Sequence, residues 1–179
     1  MIEAPTARYE YPWLDMDPGK IVSLLKSLQS AGFRYESGPG VGKINPLSDQ
    51  ALDVPPSART IDCSGFTRWA IYHALGQPED FDFPDGSVNQ HSWVDAKGFK
   101  ASDYASGTLE DGAIRIAFLS PEDAVQAGMS PNERHVMLLV NGYTCESHGG
   151  HGPDQRAWGS QPWMKFTQIY CLTPPTNER

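Results

Sequence analysis

One segment limits the possible folds of this chain more than any other feature: HVMLLV-NG-YTCESH. Asn141-Gly142 is the preferred dipeptide of a two-residue type I′ turn, and the runs on either side of it have the composition of strands, which predicts an antiparallel hairpin. With this turn, His148 is expected opposite His135, with Glu146 on the diagonal. All three side chains are then expected on one face of a sheet.

Two helices are predicted before the hairpin. Asp17 is a good N-cap, apolar residues recur at helical spacing after it, and Gly32 stops the pattern, so the first helix is expected over 17–31. The second is expected to begin at Asp62 and to end at Gly76, which is placed for a C-cap. Two further strands are predicted from the apolar runs 113–119 and 164–172. Helices followed by mainly antiparallel strands indicate an α+β fold.

The chain is expected to form one domain. It has 179 residues, of which 39% are hydrophobic, enough for one sizeable core. Because there is no repeat or linker, residues 17–173 are predicted to form a single domain, with an N-terminal arm over 1–16 and a polar tail over 174–179. The Gly- and Pro-rich stretch 37–58 predicts a long surface loop, the kind of loop that often borders a site.

Charge and composition exclude several partners. The chain has 14 Lys and Arg against 22 Asp and Glu, a net charge of −8, and no basic cluster, so binding to nucleic acid is not expected. No window approaches the ~18 apolar residues of a membrane span. The first residues lack the basic end and apolar stretch of a signal peptide, so Sec export is not expected. The three cysteines leave at least one thiol free: Cys63, Cys145 and Cys171.

Cys63 is expected in the first turn of the second helix. Backbone N–H groups and the positive end of the helix dipole favour an anion there, so the thiol should ionise more easily than a free one. A thiolate in this position is a nucleophile. The alternative is a small buried apolar residue, because free cysteines are often buried.

A cysteine nucleophile needs a base, and His135 at the start of a core strand is the candidate. The hairpin offers His148 and Glu146 to orient its ring. A competing hypothesis is a zinc site formed by Cys145, His148 and His151. It is disfavoured because residues 145 and 148 of an extended strand point to opposite faces, and three local ligands do not complete a tetrahedron.

The motif DCSGF at a helix start, followed far downstream by His135-Val136 opening a hairpin, resembles the NlpC-type cell-wall peptidases. These enzymes are papain-like cysteine hydrolases. The resemblance spans roughly 17–152 and includes a helix and Tyr35 ahead of the cysteine. It implies a papain-like α+β fold, with N-terminal helices packed on a mainly antiparallel sheet. Inserted segments around 77–86 and 121–134 are expected to reshape the cleft.

The resemblance also implies roles for particular residues. Cys63 is the nucleophile, His135 is the base and then the acid, and a polar residue on the next strand orients His135. That third member is either His148, slightly favoured by the cross-strand pairing, or Glu146. The residues implied for substrate binding are Tyr35, Asp62 and Ser64. This chemistry needs no metal or organic cofactor.

The substrate implied by the resemblance is the peptide stem of bacterial peptidoglycan, in which the enzyme cleaves an amide bond. Without Sec export, the protein is expected to reach the wall in a phage particle, at phage lysis, or by injection through a secretion system. Two rivals stay open. One is a papain-like enzyme acting on another amide or acyl substrate, and the other is a structural or wall-binding virion module without turnover.

Overall fold

The computed structural model describes Trp13 and the residues in 15–38 and 56–179. The α-helices in these parts are α1 (Pro18–Ser30), α2 (Cys63–Ala74), α3 (Ser87–Ala96) and α4 (Pro121–Gln126). The strands there are β1 (Lys100–Ser102), β2 (Ile114–Leu119), β3 (His135–Val140), β4 (Tyr143–His148), β5 (Gly152–Asp154) and β6 (Gln168–Cys171). They form one antiparallel sheet in the order β1-β6-β2-β3-β4-β5. The predicted α+β class is confirmed.

Helices α1 and α2 begin at the predicted caps. The carboxylate of Asp17 accepts a hydrogen bond from a first-turn backbone N–H at 2.9 Å, and that of Asp62 does the same at 2.7 Å. Each carboxylate satisfies a donor that the helix itself leaves unpaired. Both helices end two residues before the predicted glycines, Gly32 and Gly76, whose φ angles are 78° and 77°. Such positive φ angles favour glycine after a helix C-terminus.

Strands β3 and β4 form the predicted hairpin. The φ angles of Asn141 and Gly142 are 49° and 82°, positive as a type I′ turn requires. Val140 pairs with Tyr143, in the predicted register. The ladder between the two strands extends as far as Cys145, so the hairpin is confirmed over its first three pairs.

The last three residues of β4 lie beyond the ladder with β3 and pair with β5. From Glu146 onward the strand pairs with β5, where His148 lies opposite Gly152. The predicted opposition of His148 and His135 extended the hairpin register beyond the last pair of the β3–β4 ladder. The sequence carries no turn dipeptide that marks where this ladder ends.

The central strands β2 and β3 bury both of their faces. One face packs against α1 and α2 in the main core, and alternate residues of the same strands pack in a second cluster on the other face. Burial on both sides accounts for the mainly apolar runs that predicted these two strands, in which Arg115 of β2 is paired with Asp111. The second cluster is smaller and contains Met137, Leu139, Trp158, Met164 and Ile169.

Several elements differ from the prediction. Helix α3 was not expected, because its buried residues are only Gln90 and Val94, too few to give an apolar period. The short helix α4 and strands β1 and β5 were also not predicted. The strand expected over 164–172 is shorter, since β6 covers 168–171 and Met164 lies in a 3-10 helix.

The predicted N-terminal arm and long loop are described only in part. Trp13 is buried, and its ring lies 5.3 Å from that of Phe83 and 5.2 Å from that of Trp93, measured between centroids. The other described members of the arm are Asp15 and Met16, and the rest of 1–16 lies outside the described residues. Residues 39–55 of the predicted loop over 37–58 also lie outside them.

None of the described helices combines the length and the apolar character needed to cross a bilayer.

Replacing Gly142 by alanine should destabilise the protein by about 1 kcal/mol, because the new Cβ would sit on a backbone with positive φ. Urea unfolding followed by circular dichroism measures this free energy. Gly149→Ala is the matched control, since Gly149 has no positive φ and a Cβ there would meet its nearest atom only at 4.0 Å. The control should change stability by less than about 0.5 kcal/mol. Equal effects of the two variants would contradict the turn assignment.

Candidate active site

Cys63 is the first residue of α2 and follows the N-cap Asp62. Its side chain belongs to the edge of the main core, and the residue is 8% exposed. The thiol also lines an open cleft, so solute molecules can reach it. The partial burial and the access to the cleft both follow from the local sequence. Asp62 starts the helix immediately before Cys63, and the apolar residues that follow Cys63 pack the helix against the sheet.

His135 connects Cys63 to Glu146. The Nε2 atom of His135 lies 2.5 Å from Oε2 of Glu146, and the side chain of Cys63 interacts with the imidazole closely enough to raise the His135 pKa. Since Nε2 is engaged with the carboxylate, Nδ1 is the ring nitrogen left for the sulfur. The three side chains therefore form a row of interacting groups that begins at a helix N-terminus and ends inside the sheet.

Arg156 lies at the far end of this row. Its Nε donates a hydrogen bond to Oε1 of Glu146 at 2.9 Å, and its Nη2 donates one to Oε2 at 2.7 Å. Glu146 is completely buried, and these contacts give both of its oxygens a partner. Sequence analysis did not identify Arg156, because no motif marks it. It follows β5, and only the pairing of β5 with β4 brings it alongside Glu146.

Contacts within the row stabilise the charged forms of His135 and Glu146. Burial alone would lower the pKa of His135, but hydrogen bonds with Cys63 and Glu146 and the negative charges of both outweigh burial and raise this pKa to about 10. Burial alone would raise the pKa of Glu146, but hydrogen bonds and positive charge from His135 and Arg156 lower it to about 2. At neutral pH the row therefore contains an imidazolium and a carboxylate.

His148 has other contacts. Its Nε2 lies 3.6 Å from a carboxylate oxygen of Asp154, and its ring centroid is 5.2 Å from that of His151. Burial and the positive charge of Arg156 lower its pKa, which favours the neutral ring. The structure thus brings Glu146 to His135 and not the slightly favoured His148. The physical reason is that the β3–β4 ladder ends at the pair Leu138–Cys145, so the extended hairpin register does not hold at His135.

The residues of the disfavoured zinc hypothesis do not gather around one point. Cys145 is fully buried in the main core, where it accepts a hydrogen bond from Gln155 at 3.5 Å. Burial raises the pKa of its thiol to about 12, which makes it a poor ligand and nucleophile. Within the described ranges, no group of three or more His, Cys, Asp or Glu side chains is arranged to hold a metal ion.

The three residues implied for substrate binding lie at the cleft that Cys63 lines, whose volume is about 730 Å³. Tyr35 is half-buried there, and burial raises the pKa of its phenol. Asp62 and Ser64 are buried, and the hydroxyl of Ser64 donates to the Asp62 carboxylate at 3.1 Å. These two residues therefore shape the start of α2, and Tyr35 is the member with more surface available for a ligand.

A second cavity lies on the His135 side and has a volume of about 420 Å³. Its apolar wall includes Phe118 and Leu119 at the end of β2, and α3 and α4 provide other walls. Ser87 and Val88 of α3 border both cavities, so the open space extends on both sides of the Cys–His pair. The expectation that residues near 121–134 reshape the cleft agrees with this lining, which includes 120–123 and 132–134.

In comparisons with protein-family models and with curated proteins, the chain matches none.

In Glu146→Gln, the free energy of unfolding should fall less than in the wild type when the pH is lowered. A lowered carboxyl pKa stabilises the folded state above the unfolded value of 4.5, and this contribution is lost as the pH falls towards 2. Between pH 6 and pH 3, the wild type should lose on the order of 1 kcal/mol more unfolding free energy than Glu146→Gln. Urea titrations at both pH values measure the difference. The same loss in both proteins would show that Glu146 is not held as a carboxylate.

Proposed function

We propose that this protein is a cysteine hydrolase with a papain-like, NlpC-type fold that cleaves an amide bond in the peptide stem of bacterial peptidoglycan. The observation that carries the proposal is the row of Cys63, His135 and Glu146 beside an open cleft, in which His135 is hydrogen-bonded to Glu146 and interacts with Cys63. A nucleophile, a base and a group that orients the base are the parts of a cysteine hydrolase.

The arrangement of elements supports the papain-like fold. The nucleophile begins a helix that packs against an antiparallel sheet, the base begins a strand of that sheet, and the orienting residue lies on the next strand. Helix α1 precedes α2 and packs against it, as the resemblance to NlpC-type peptidases implies. Each catalytic side chain is thus held by regular secondary structure, which keeps its position well defined.

In the first half of the reaction, the Cys63 thiolate attacks the amide carbon and a C–S bond forms. The carbonyl oxygen becomes an oxyanion, and backbone N–H groups at the start of α2, including that of Cys63, stabilise it. As the C–N bond breaks, His135 gives its proton to the leaving amine. The product of this half is a thioester between the acyl group and Cys63.

In the second half, water attacks the thioester carbon, and His135 accepts a proton from this water. The C–S bond breaks, the carboxylic acid leaves, and the thiolate–imidazolium pair is restored. Throughout, Glu146 keeps the Nε2 side of the ring engaged, so the other nitrogen faces the reacting atoms.

The choice of peptidoglycan is supported by the DCSGF motif and the downstream His-Val hairpin, which resemble those of the NlpC-type enzymes. The cavities on both sides of the Cys–His pair also suit a chain that continues beyond the broken bond in both directions. The fragments released by digestion would identify the bond that is cleaved in the stem.

Digestion of purified peptidoglycan should release new fragments with the wild-type protein, and Cys63→Ala or His135→Ala should lower the rate by roughly 10³-fold or more. Mass spectrometry of the fragments identifies the bond by its new ends. Cys171→Ala is the matched control, because Cys171 is buried and burial raises the pKa of its thiol. The control should digest at close to the wild-type rate.

Other results of this digestion would overturn the proposal. Full activity in Cys63→Ala would exclude Cys63 as the nucleophile. If no wall is digested while Cys63 reacts with iodoacetamide at pH 6 much faster than Cys145 and Cys171, the enzyme acts on a different amide or acyl substrate. No digestion together with an unreactive Cys63 would favour a structural or wall-binding module.

The orienting role can be tested by comparing two variants of β4. Glu146→Gln removes the charge that contacts His135, so turnover should fall, though less than in Cys63→Ala. His148→Ala changes a ring that contacts Asp154 and His151, so its turnover should stay within about threefold of the wild type. The measurement is the initial rate of fragment release. A large loss in His148→Ala with little loss in Glu146→Gln would reverse the assignment.

A further inference from the structure

We propose that Arg156 is a positioning residue that balances the charge of the buried row Cys63–His135–Glu146 and fixes the carboxylate within it. This inference rests on the proposed function. Arg156 becomes the fourth member of the row and contacts the third member, Glu146. Arg156 is not among the residues that line the two cavities at the Cys–His pair, so it acts through Glu146 and not on a substrate.

Arg156 is fixed at both ends relative to β4. Its backbone N–H donates to the hydroxyl of Thr144 at 2.9 Å, and its carbonyl accepts from the N–H of Thr144 at 2.8 Å. Thr144 lies two residues before Glu146, on the same face of an extended strand. The guanidinium then makes two hydrogen bonds to the carboxylate, a geometry that lysine cannot reproduce.

An indole ring connects the two ends of this arrangement. The guanidinium carbon of Arg156 lies 5.4 Å from the centroid of Trp163, and the same ring meets His135 edge-on with centroids 5.8 Å apart. Trp163 therefore contacts both partners of Glu146. Arginine suits this position because its planar cation stacks on an aromatic face while it donates to a carboxylate.

The charges along the row alternate. His135 is positive, Glu146 is negative and Arg156 is positive, so the thiolate that the proposed mechanism requires at Cys63 would bring the sum of the four charges to zero. Without Arg156, the buried row would carry one excess negative charge, and burial of unbalanced charge is costly. Protonation of the Cys63 thiolate would relieve that excess. Other titratable groups whose charges act on members of the row or on the cleft are Tyr35, Asp62, Glu133, His148 and Asp154.

The test measures iodoacetamide labelling of Cys63 at pH 6 in four proteins: wild type, Arg156→Met, Glu146→Gln and the double variant. Iodoacetamide should label Cys63 about tenfold more slowly in Arg156→Met, which is the factor by which a change of one pH unit alters the thiolate fraction. The double variant removes both the carboxylate and its counter-charge, so labelling should recover to near the wild-type rate. A merely structural role for Arg156 would give no recovery, because the double variant loses the same contacts.

Two results would overturn the proposal. One is a wild-type labelling rate in Arg156→Met, and the other is a slow rate that persists in the double variant. If Arg156→Met does not fold, Arg156→Lys provides the second measurement. It keeps the charge but not the two-pronged contact, so it should label at the wild-type rate and lower kcat for peptidoglycan with little change in KM. Slow labelling of this lysine variant would contradict charge balance.

Labelling needs no substrate, so this test separates the inference from the proposed function. The expected labelling pattern with no digestion of any wall would support the role of Arg156 while overturning the peptidoglycan substrate. Digestion by the wild type with unchanged labelling in Arg156→Met would support the hydrolase and overturn the role of Arg156.

Discussion

The burial of the Glu146 carboxylate is the constraint on which the rest of the site depends. A carboxylate without partners inside a protein costs several kcal/mol, so the fold must supply cations and donors around it. It does so from both directions, with His135 on β3 and Arg156 after β5. Because Glu146 lies on β4 between those strands, satisfying one carboxylate fixes three neighbouring segments of the sheet relative to one another.

The position of Cys63, the proposed nucleophile, depends on a second constraint, the start of α2. Asp62 caps the helix, and the apolar side chains of Phe66 and Ile71 fix the helix against the sheet, so the position of Cys63 follows from the same residues that form the core. Ser147 of β4 adds a hydrogen bond of 2.6 Å to the carbonyl of Ile61, which ties the strand of Glu146 to the segment that enters α2. The distance between nucleophile and orienting residue is thereby set by packing and hydrogen bonding together.

Local signals in the sequence predicted much of this structure. Asp17, Asp62 and Asn141-Gly142 act within a few residues of themselves, so the helix starts and the hairpin turn could be predicted from neighbouring residues. Glu146 was left as an alternative because the sequence does not mark where the β3–β4 ladder ends, and Arg156 was missed because it reaches Glu146 only through the pairing of β5 with β4. Helix α3 was missed because its buried face includes the polar side chain of Gln90, which donates to the carbonyls of Ser64 and Pro84.

The position of β6 has a consequence for how the protein is made. This strand pairs with both β1 and β2, although it is the last strand in the sequence, so the sheet has a gap until residues 168–171 are available. All members of the row from Cys63 to Arg156 leave the ribosome before the strand that closes this gap. Pairings between distant segments form slowly, because the loop between them must be closed first. Completion of the sheet is therefore a late event in the folding of the chain.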